Sequence, residues 1–174
     1  RAVLGSKWRS ELENYLPETF FPMAENSLKV FSPEIIPLLQ QENKLSTEYS
    51  KLQASAEIEF QGQTYNLPGM AKFAQDPDRE VRRQASELVS AFYNVHEAEF
   101  DRIYDQLVKV RDQIAKTLGF KDFVEVGYLR MNRLDYNRQQ VEVYRQEILE
   151  HVVPVVNKLY QRQADRLGLE SLKP

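Results

Sequence analysis

The sequence predicts a mainly α-helical protein built of long antiparallel helices, with one small β-hairpin. Three observations support this fold class. Apolar residues recur at spacings of three and four over most of the chain, which is the period of one helical face. The six glycines and eight prolines fall between these periodic stretches, where helices begin and end. One stretch, residues 57–67, instead alternates apolar and polar residues as a strand does.

Helices are predicted first for residues 1–56, where prolines interrupt the apolar period. A short first helix ends at Pro17, because proline cannot continue a helix. The aromatic stretch 19–31 has no clear period, and the pattern assigns no element to it. A second helix follows the capping pair Ser32–Pro33, and Pro37 either bends its first turn or marks its true start.

Residues 57–67 form the predicted hairpin, with its turn near Gln61–Gly62. Two strands this short are marginally stable alone, so we expect the hairpin to pack its apolar face on helices. A short helix and a long helical stretch follow over residues 68–118, and the long part begins at the capping sequence Asp76-Pro77-Asp78. Its apolar pattern slips by one residue part-way along. The slip predicts either one bent helix of about 40 residues or two helices broken near residues 94–99.

Residues 121–168 are predicted to form a helix junction and a last long helix. Leu118–Gly119 ends the preceding helix with a glycine C-cap, and Asp135 is expected to cap the last one. Pro154 lies inside the last helix and removes a backbone hydrogen bond at a cost of about 3 kcal/mol, so we expect a kink there. No low-complexity linker divides the chain. We therefore predict that residues 1–174 form one helical unit.

Composition argues against several functional classes. The chain has 174 residues, 42% of them hydrophobic, which is enough for a real core. A net charge of -3 and a pI near 5.6 give no basic surface for nucleic acid. No apolar run approaches the roughly 20 residues of a membrane span, so neither a nucleic acid nor a membrane is a predicted partner. The absence of cysteine excludes disulfides and permits a reducing compartment, and we predict a cytoplasmic location.

The sequence from His96 to Phe100 is one residue short of the zinc-peptidase pattern HExxH. Two histidines four residues apart place two imidazoles on one helical face, and Phe100 cannot replace the second one. The other histidine, His151, lacks that spacing, and neither histidine belongs to the Glu-x-x-His motif of di-iron bundles. No nucleophile elbow or phosphate-binding glycine loop occurs. We predict no metal ligand and no catalytic residue in this chain.

One polar cluster falls in the predicted junction before the last helix. Tyr128, Arg130 and Arg133 lie there, with Asn132 beside them. Junction residues often face a cleft, and arginine suits peptide carbonyls or a terminal carboxylate, so these three are candidate substrate-cleft residues. The alternative is that the arginines bond the free carbonyls at the ends of their own helices.

Several short sequences then occur in a fixed order along the chain. They are EYSKL at 48–52, IEFQG at 58–62, DREVR at 78–82, VGYLRM at 126–131, and Val153-Pro154 followed by RQADRLGL at 162–169. In this order they resemble the oligoendopeptidase F group, which includes the Pz-peptidases, within the thimet-oligopeptidase-like superfamily of zinc metallopeptidases. The resemblance extends over most of the chain.

The resemblance implies a mostly helical, clam-like peptidase whose N-terminal helical part forms one wall of a deep cleft. The family's HExxH motif and further glutamate ligand lie beyond the matched region, so no catalytic residue is carried over. The parent would use zinc to cut oligopeptides, with this chain's partner being the C-terminal catalytic region of the same polypeptide. The chain begins at Arg1 and stops at Lys173–Pro174, and we expect it to be an inactive, zinc-free piece of that parent.

A second hypothesis belongs to a different functional class. The chain could be a free-standing helical module that self-associates through the apolar stripes beginning at Val81 and at Val141. Under the peptidase hypothesis too, a piece separated from its catalytic region should expose apolar surface and tend to associate.

Overall fold

A computed structural model describes residues 2–170 and residue 172. Arg1, Ser171, Lys173 and Pro174 lie outside the described residues, as does the expectation placed on the two chain ends. The mainly α-helical class with one two-stranded hairpin is confirmed. The helices are α1 (Arg9–Leu12), α2 (Phe20–Lys29), α3 (Ile36–Ala54), α4 (Leu67–Met70), α5 (Arg79–Val95), α6 (Glu97–Thr117), α7 (Phe123–Arg130), α8 (Arg138–Glu147) and α9 (Val153–Leu167); the strands are β1 (Ile58–Phe60) and β2 (Gln63–Tyr65).

Three short helical turns of other kinds complete the fold. Pro33–Ile35 and Ala71–Gln75 are 3-10 turns, and Ile148–Val152 is a π-helical turn between α8 and α9. Spatial contacts between residues divide the chain into two compact units. The first unit combines Arg1–Val30 and Val124–Pro174, and the second unit is Phe31–Phe123. The prediction that residues 1–174 act as one unit of a larger peptidase stays a prediction.

The second unit is built around the pairing of α3 with α6. Arg102 lies 3.3 Å from Glu48, and Arg111 Nε donates to Glu42 Oε1 at 2.8 Å. Moving back along α3 therefore advances along α6, so the two helices are antiparallel, as predicted. The core between them is apolar and consists of Ile35, Leu45, Leu52, Ile103, Leu107, Val110 and Ile114.

The hairpin is confirmed at the predicted position. Ile58 pairs with Tyr65 and Phe60 with Gln63, and the turn residues Gln61 and Gly62 have φ of 50° and 76°. Two consecutive positive φ values characterise the turn that matches strand twist in a two-residue hairpin loop. The buried side of β1 packs as expected against helical residues, in a cluster formed by Ile58, Phe60, Met70, Phe73 and Ala85.

The long helical stretch is broken, in agreement with the second of the two alternatives. His96, with φ of -102° and ψ of 10°, separates α5 from α6. The ring of Phe100 lies 5.4 Å from that of Tyr49 on α3 and 6.4 Å from that of Phe92 on α5. The stripe that begins at Val81 therefore packs inside this unit, and little of it is open to a partner.

Two details of the predicted boundaries are wrong. Residues Phe20–Lys29 form α2, although their apolar residues lack a clear period and several remain exposed. Asp78 rather than Asp76 caps α5, because Asp76 Oδ1 accepts from the Asp78 N–H and holds the preceding turn outside the helix. The carboxylate of Asp78 then accepts from the Glu80 N–H at 2.8 Å. Pro37 is the second residue of α3, which agrees with the alternative that it marks the start of this helix.

The last helical stretch begins two residues later than predicted. Asn137, not Asp135, caps α8, because the Asn137 and Gln140 side chains each accept from the other's backbone N–H, at 3.0 and 2.9 Å. Pro154 lacks an N–H, and the π-helical turn stands directly before it, with the Val153 N–H bonded to Ile148 O. Gly168 ends α9 with φ of 65°, as expected of a glycine C-cap.

Glu80, in the first turn of α5, should titrate near pH 2. Its carboxylate accepts hydrogen bonds from Arg83 and from Gln84, and these lower its pKa from 4.5 to about 2. Because the folded-state pKa is depressed, the resulting stability is fully present above the unfolded pKa and is lost as pH falls from about 4.5 through about 2. NMR titration of the side-chain carboxyl measures this value. The R83Q variant should return the pKa towards 4.5, and a wild-type pKa already near 4.5 would contradict the prediction.

Candidate functional site

The junction between α7 and α8 turns the chain back on itself. Asn132 has a φ of 51°, in the left-handed region that asparagine tolerates better than most residues. The Arg133 N–H donates to the Tyr128 carbonyl at 3.0 Å, and the Asn132 N–H donates to the Leu129 carbonyl at the same distance. These bonds close the C-terminal end of α7 and bring residue 133 back beside residue 128.

The guanidinium of Arg133 contacts two tyrosine rings. Its central carbon is 4.4 Å from the ring centroid of Tyr128 and 5.5 Å from that of Tyr136. The rings themselves stand 6.3 Å apart at an interplanar angle of 76°. Such contacts favour a cation through the negative faces of the rings, so they position the guanidinium. The structure thus brings together two of the three residues predicted from the sequence.

The third candidate, Arg130, is placed differently. It is the last residue of α7 and is half-buried. In the described part of the chain it lines neither of the two cavities that Arg133 lines. Of the three candidates, Tyr128 and Arg133 therefore line a cavity, and the role of Arg130 stays a prediction.

Two cavities open beside Arg133. The first, here called the junction cavity, has a volume of about 390 Å3 and is lined by Arg133, Tyr136, Gln140, Val141, Tyr144 and Arg145. The second has a volume of about 470 Å3 and is lined by Val124, Tyr128, Met131, Arg133, Arg138, Glu142 and Arg145. Arg133 and Arg145 line both, so they form the wall that the cavities share.

Sequence reasoning missed most of the junction cavity. Of the lining residues, the sequence singled out only Arg133 and, at the start of an apolar stripe, Val141. Gln140, Val141, Tyr144 and Arg145 are spaced to share one edge of α8, which is the signal that could have grouped them. That edge meets the junction only because α8 begins after Asn137, and the sequence had placed the cap at Asp135.

The two histidines do not fit a catalytic zinc. His96 Nδ1 lies 4.0 Å from Glu99 Oε2, with its ring 4.8 Å from that of Phe92. His151 Nε2 lies 3.3 Å from Glu147 Oε2. Within residues 2–170 and 172, no three histidine, aspartate or glutamate side chains are grouped to hold a metal ion. A catalytic zinc needs three protein ligands, and these pairs supply two groups each.

The last helical stretch, Arg138–Leu167, leaves many large apolar side chains in water. Val155 is 55% and Leu159 54% exposed, and Tyr144 of the same predicted stripe is 64% exposed. The π-helical turn shifts the helical phase, so the exposed apolar residues occupy more than one side of the stretch. Further members are Val143, Leu149, Val152, Val153, Tyr160 and Leu167. No helix of the described chain is both long and apolar enough to cross a membrane.

Comparison with known proteins supports the resemblance seen in the sequence. A crystal structure named as an oligoendopeptidase F from Bacillus anthracis strain Ames is 48% identical, with a TM-score of 0.91 over 99% of this chain and 32% of that one. A structure of Pz peptidase A with an inhibitor is also 48% identical, with a TM-score of 0.91 over 99% of this chain and 31% of that one. Another X-ray structure named as an oligoendopeptidase F is 45% identical, with a TM-score of 0.90 over 98% of this chain and 30% of that one.

This chain therefore spans about a third of the length of these structures. No curated protein matches the sequence significantly. The sequence model of peptidase family M3 matches residues 72–174, which is more than half of the chain. The resemblance to the oligoendopeptidase F group is thereby confirmed, and the chain belongs to peptidase family M3.

Proposed function

We propose that this chain is the N-terminal helical part of a longer, cytoplasmic zinc metalloendopeptidase that hydrolyses oligopeptides. In this proposal the chain supplies scaffold and one wall of the substrate cleft. The observation that carries it is the similarity to oligoendopeptidase F structures, at 48% identity over nearly the whole of this chain but only a third of theirs.

The zinc site is assigned to the rest of the polypeptide. This assignment is supported by the pairs at His96 and His151, each of which places one imidazole beside one carboxylate. When bound elsewhere, zinc would supply the activated water for hydrolysis. Within this chain the proposed work is the positioning of substrate, and we assign it to the junction residues Tyr128, Arg130 and Arg133.

The exposed apolar residues of the last helical stretch support the presence of a neighbouring region that covers them. A surface helix normally turns one apolar stripe inward, whereas a helix that is apolar on more than one side is buried in a larger structure. Here Val155 and Leu159 are more than half exposed. We propose that the C-terminal catalytic region of the same polypeptide covers this stretch.

Hydrolysis should require the longer polypeptide. We expect the polypeptide that contains this chain together with its C-terminal region to cleave a quenched fluorescent oligopeptide when supplied with zinc, and to stop when a chelator is added. The chain 1–174 alone should show no cleavage under the same conditions, since its described residues hold no zinc ligand set. Fluorescence release over time measures both.

The matched control is the H96A variant of chain 1–174. If the short chain shows chelator-sensitive cleavage that this substitution removes, the zinc assignment is wrong. If the longer polypeptide fails to cleave any of a panel of oligopeptides with zinc present, the peptidase proposal is wrong.

A second function, self-association of the isolated chain, is favoured by one observation. The stripe that begins at Val141 stays open to water at Tyr144, Val152, Val155 and Leu159. Exposed apolar patches of this kind mark surfaces that bind another protein. A second copy of the chain would cover the same surface that we assign to the C-terminal region.

A further inference from the structure

The junction cavity carries positive charge that no carboxylate of its lining balances. Its charged lining residues are Arg133 and Arg145, and the remaining four are Tyr136, Gln140, Val141 and Tyr144. Other arginines form ion pairs with glutamates, among them Arg9, Arg83, Arg102 and Arg111. Within the described chain, neither Arg133 nor Arg145 forms such a pair. The cavity is therefore a place where a ligand's negative charge would be stabilised.

The arginine side chains keep their hydrogen-bond donors available. Arg133 contacts the rings of Tyr128 and Tyr136, at 4.4 and 5.5 Å. Ring contacts fix the guanidinium without using its N–H donors, and no acceptor for those donors lies among the residues that the structure describes. A guanidinium fixed in this way can donate two parallel hydrogen bonds to one carboxylate, a geometry that lysine cannot reproduce.

The rest of the lining suits the carbon part of a peptide. Val141 and the rings of Tyr136 and Tyr144 are apolar, and the two phenol groups add donors at their tips. The volume of about 390 Å3 lies within the roughly 300–1,000 Å3 typical of small-ligand sites. Glu142 lines the neighbouring cavity with Arg138 and is absent from this lining, so the junction cavity is lined by no carboxylate that would repel an anion.

The cavity is held in shape by its own backbone. The Arg133 N–H bond to Tyr128 closes one side, and the reciprocal bonds of Asn137 and Gln140 fix the start of α8 on the other. Preorganised donors lose less entropy on binding than mobile ones do. The site therefore does not depend on a ligand to form.

We propose that the junction cavity binds a carboxylate group of an oligopeptide. Arg133 and Arg145 hold the carboxylate, and Tyr136, Tyr144 and Val141 contact the residue that bears it. This inference rests on the proposed function for its ligand class and adds a specificity to it: the enzyme should prefer peptides with a carboxylate at one end. The carboxylate can come from the peptide C-terminus or from an acidic side chain.

The test measures binding without catalysis. Isothermal titration calorimetry uses the longer polypeptide that contains this chain, with a chelator present to prevent hydrolysis. The ligands are one hexapeptide with a free C-terminus, its C-terminal amide, and the amide of a version with a terminal glutamate; inorganic phosphate is the fourth. We expect the free acid to bind about tenfold tighter than the plain amide, since a charge-assisted pair is lost in the amide.

Two variants assign the effect to the cavity. R145Q should remove the preference for the acid over the amide, and R133Q should do the same. R162Q on α9 is the matched control, because it removes an arginine that lines neither the junction cavity nor the neighbouring one. Circular dichroism checks folding. The side chain of Arg145 forms no hydrogen bond or ion pair within the described residues, so R145Q should keep the fold even if R133Q disturbs the ring contacts.

The outcomes distinguish the two sources of the carboxylate, and they separate the carboxylate site from the proposed peptidase activity. Tight binding of the glutamate amide supports the carboxylate site and assigns the source to a side chain, whereas tight binding of the acid alone assigns it to the C-terminus. Equal binding of the free acid, the plain amide and the glutamate amide, equal effects of R145Q and R162Q, or phosphate binding tighter than any of the peptides overturns the inference. A carboxylate preference without zinc-dependent cleavage overturns only the proposed peptidase activity, and cleavage without the preference overturns only the carboxylate site.

Discussion

Replacing Ile114 with alanine should lower the free energy of unfolding by about 2–5 kcal/mol. Ile114 is completely buried on α6, in the cluster where this helix packs against α3. Alanine removes buried carbon atoms and leaves a cavity that the neighbouring helices can close only in part. Urea denaturation followed by circular dichroism measures the change.

The matched control is V108A on the same helix. Val108 is 51% exposed, so this substitution tests the effects of helix propensity and of a shorter side chain without opening a cavity in the core. Its effect should stay within about 0.5 kcal/mol, as for most surface substitutions. Similar losses for the two variants would contradict the assignment of α3 and α6 as the core of the second unit.

The antiparallel helices and the hairpin could be predicted because their signals are local and agree with each other. Alternation over residues 58–65 and a glycine at position 62 both specify a tight hairpin, and the structure places both positive φ values there. The one-residue slip in the apolar period indicated the break between α5 and α6, because the apolar residues of the two helices follow the helical period in different phases. His96 is the residue that absorbs the change.

One error arose where tertiary contacts decide the outcome, and the other where a local capping signal was missed. Phe20–Lys29 forms α2 although its apolar residues follow no helical period; Phe21 is buried while Phe20, Met23 and Leu28 remain exposed. Asn137 caps α8 because its side chain and that of Gln140 satisfy two backbone donors at once, and Asp135 has no such partner three residues on.

The candidate site could be predicted only in part, because it depends on contacts between the junction and the helix that follows it. The sequence identified Tyr128 and Arg133 as junction residues, and the junction does place them in contact. Arg145 comes from the second turn of the next helix, and its approach depends on where that helix begins. No local pattern specifies a distance between a guanidinium in a turn and an edge of the following helix.

The V155K/L159K double variant should reduce association of the isolated chain at least tenfold while its helical content stays unchanged. Both residues lie on α9 and are 55% and 54% exposed, so lysine fits without disturbing the chain's own packing. Any partner that covers this surface, however, would have to bury two charges without counterions. Analytical ultracentrifugation over a concentration series measures the association, and circular dichroism measures the helix.

The N157K/Q163K variant adds the same charge to the same helix at exposed polar positions, and it should associate as the unsubstituted chain does. If both variants weaken association equally, net charge rather than the apolar surface is responsible, and the stripe is not the contact.

In the longer polypeptide, the same substitutions test whether the C-terminal region covers the exposed apolar surface of α9. There we assign the covering of Val155 and Leu159 to the C-terminal region, so V155K/L159K should lower the midpoint of thermal unfolding and the N157K/Q163K control should not. A helix that is apolar on more than one side is stable in water only when neighbours cover it. If the longer polypeptide tolerates the lysine pair as well as the control, the C-terminal region does not cover this surface. A second copy of the chain would then be the occupant that the exposed residues favour.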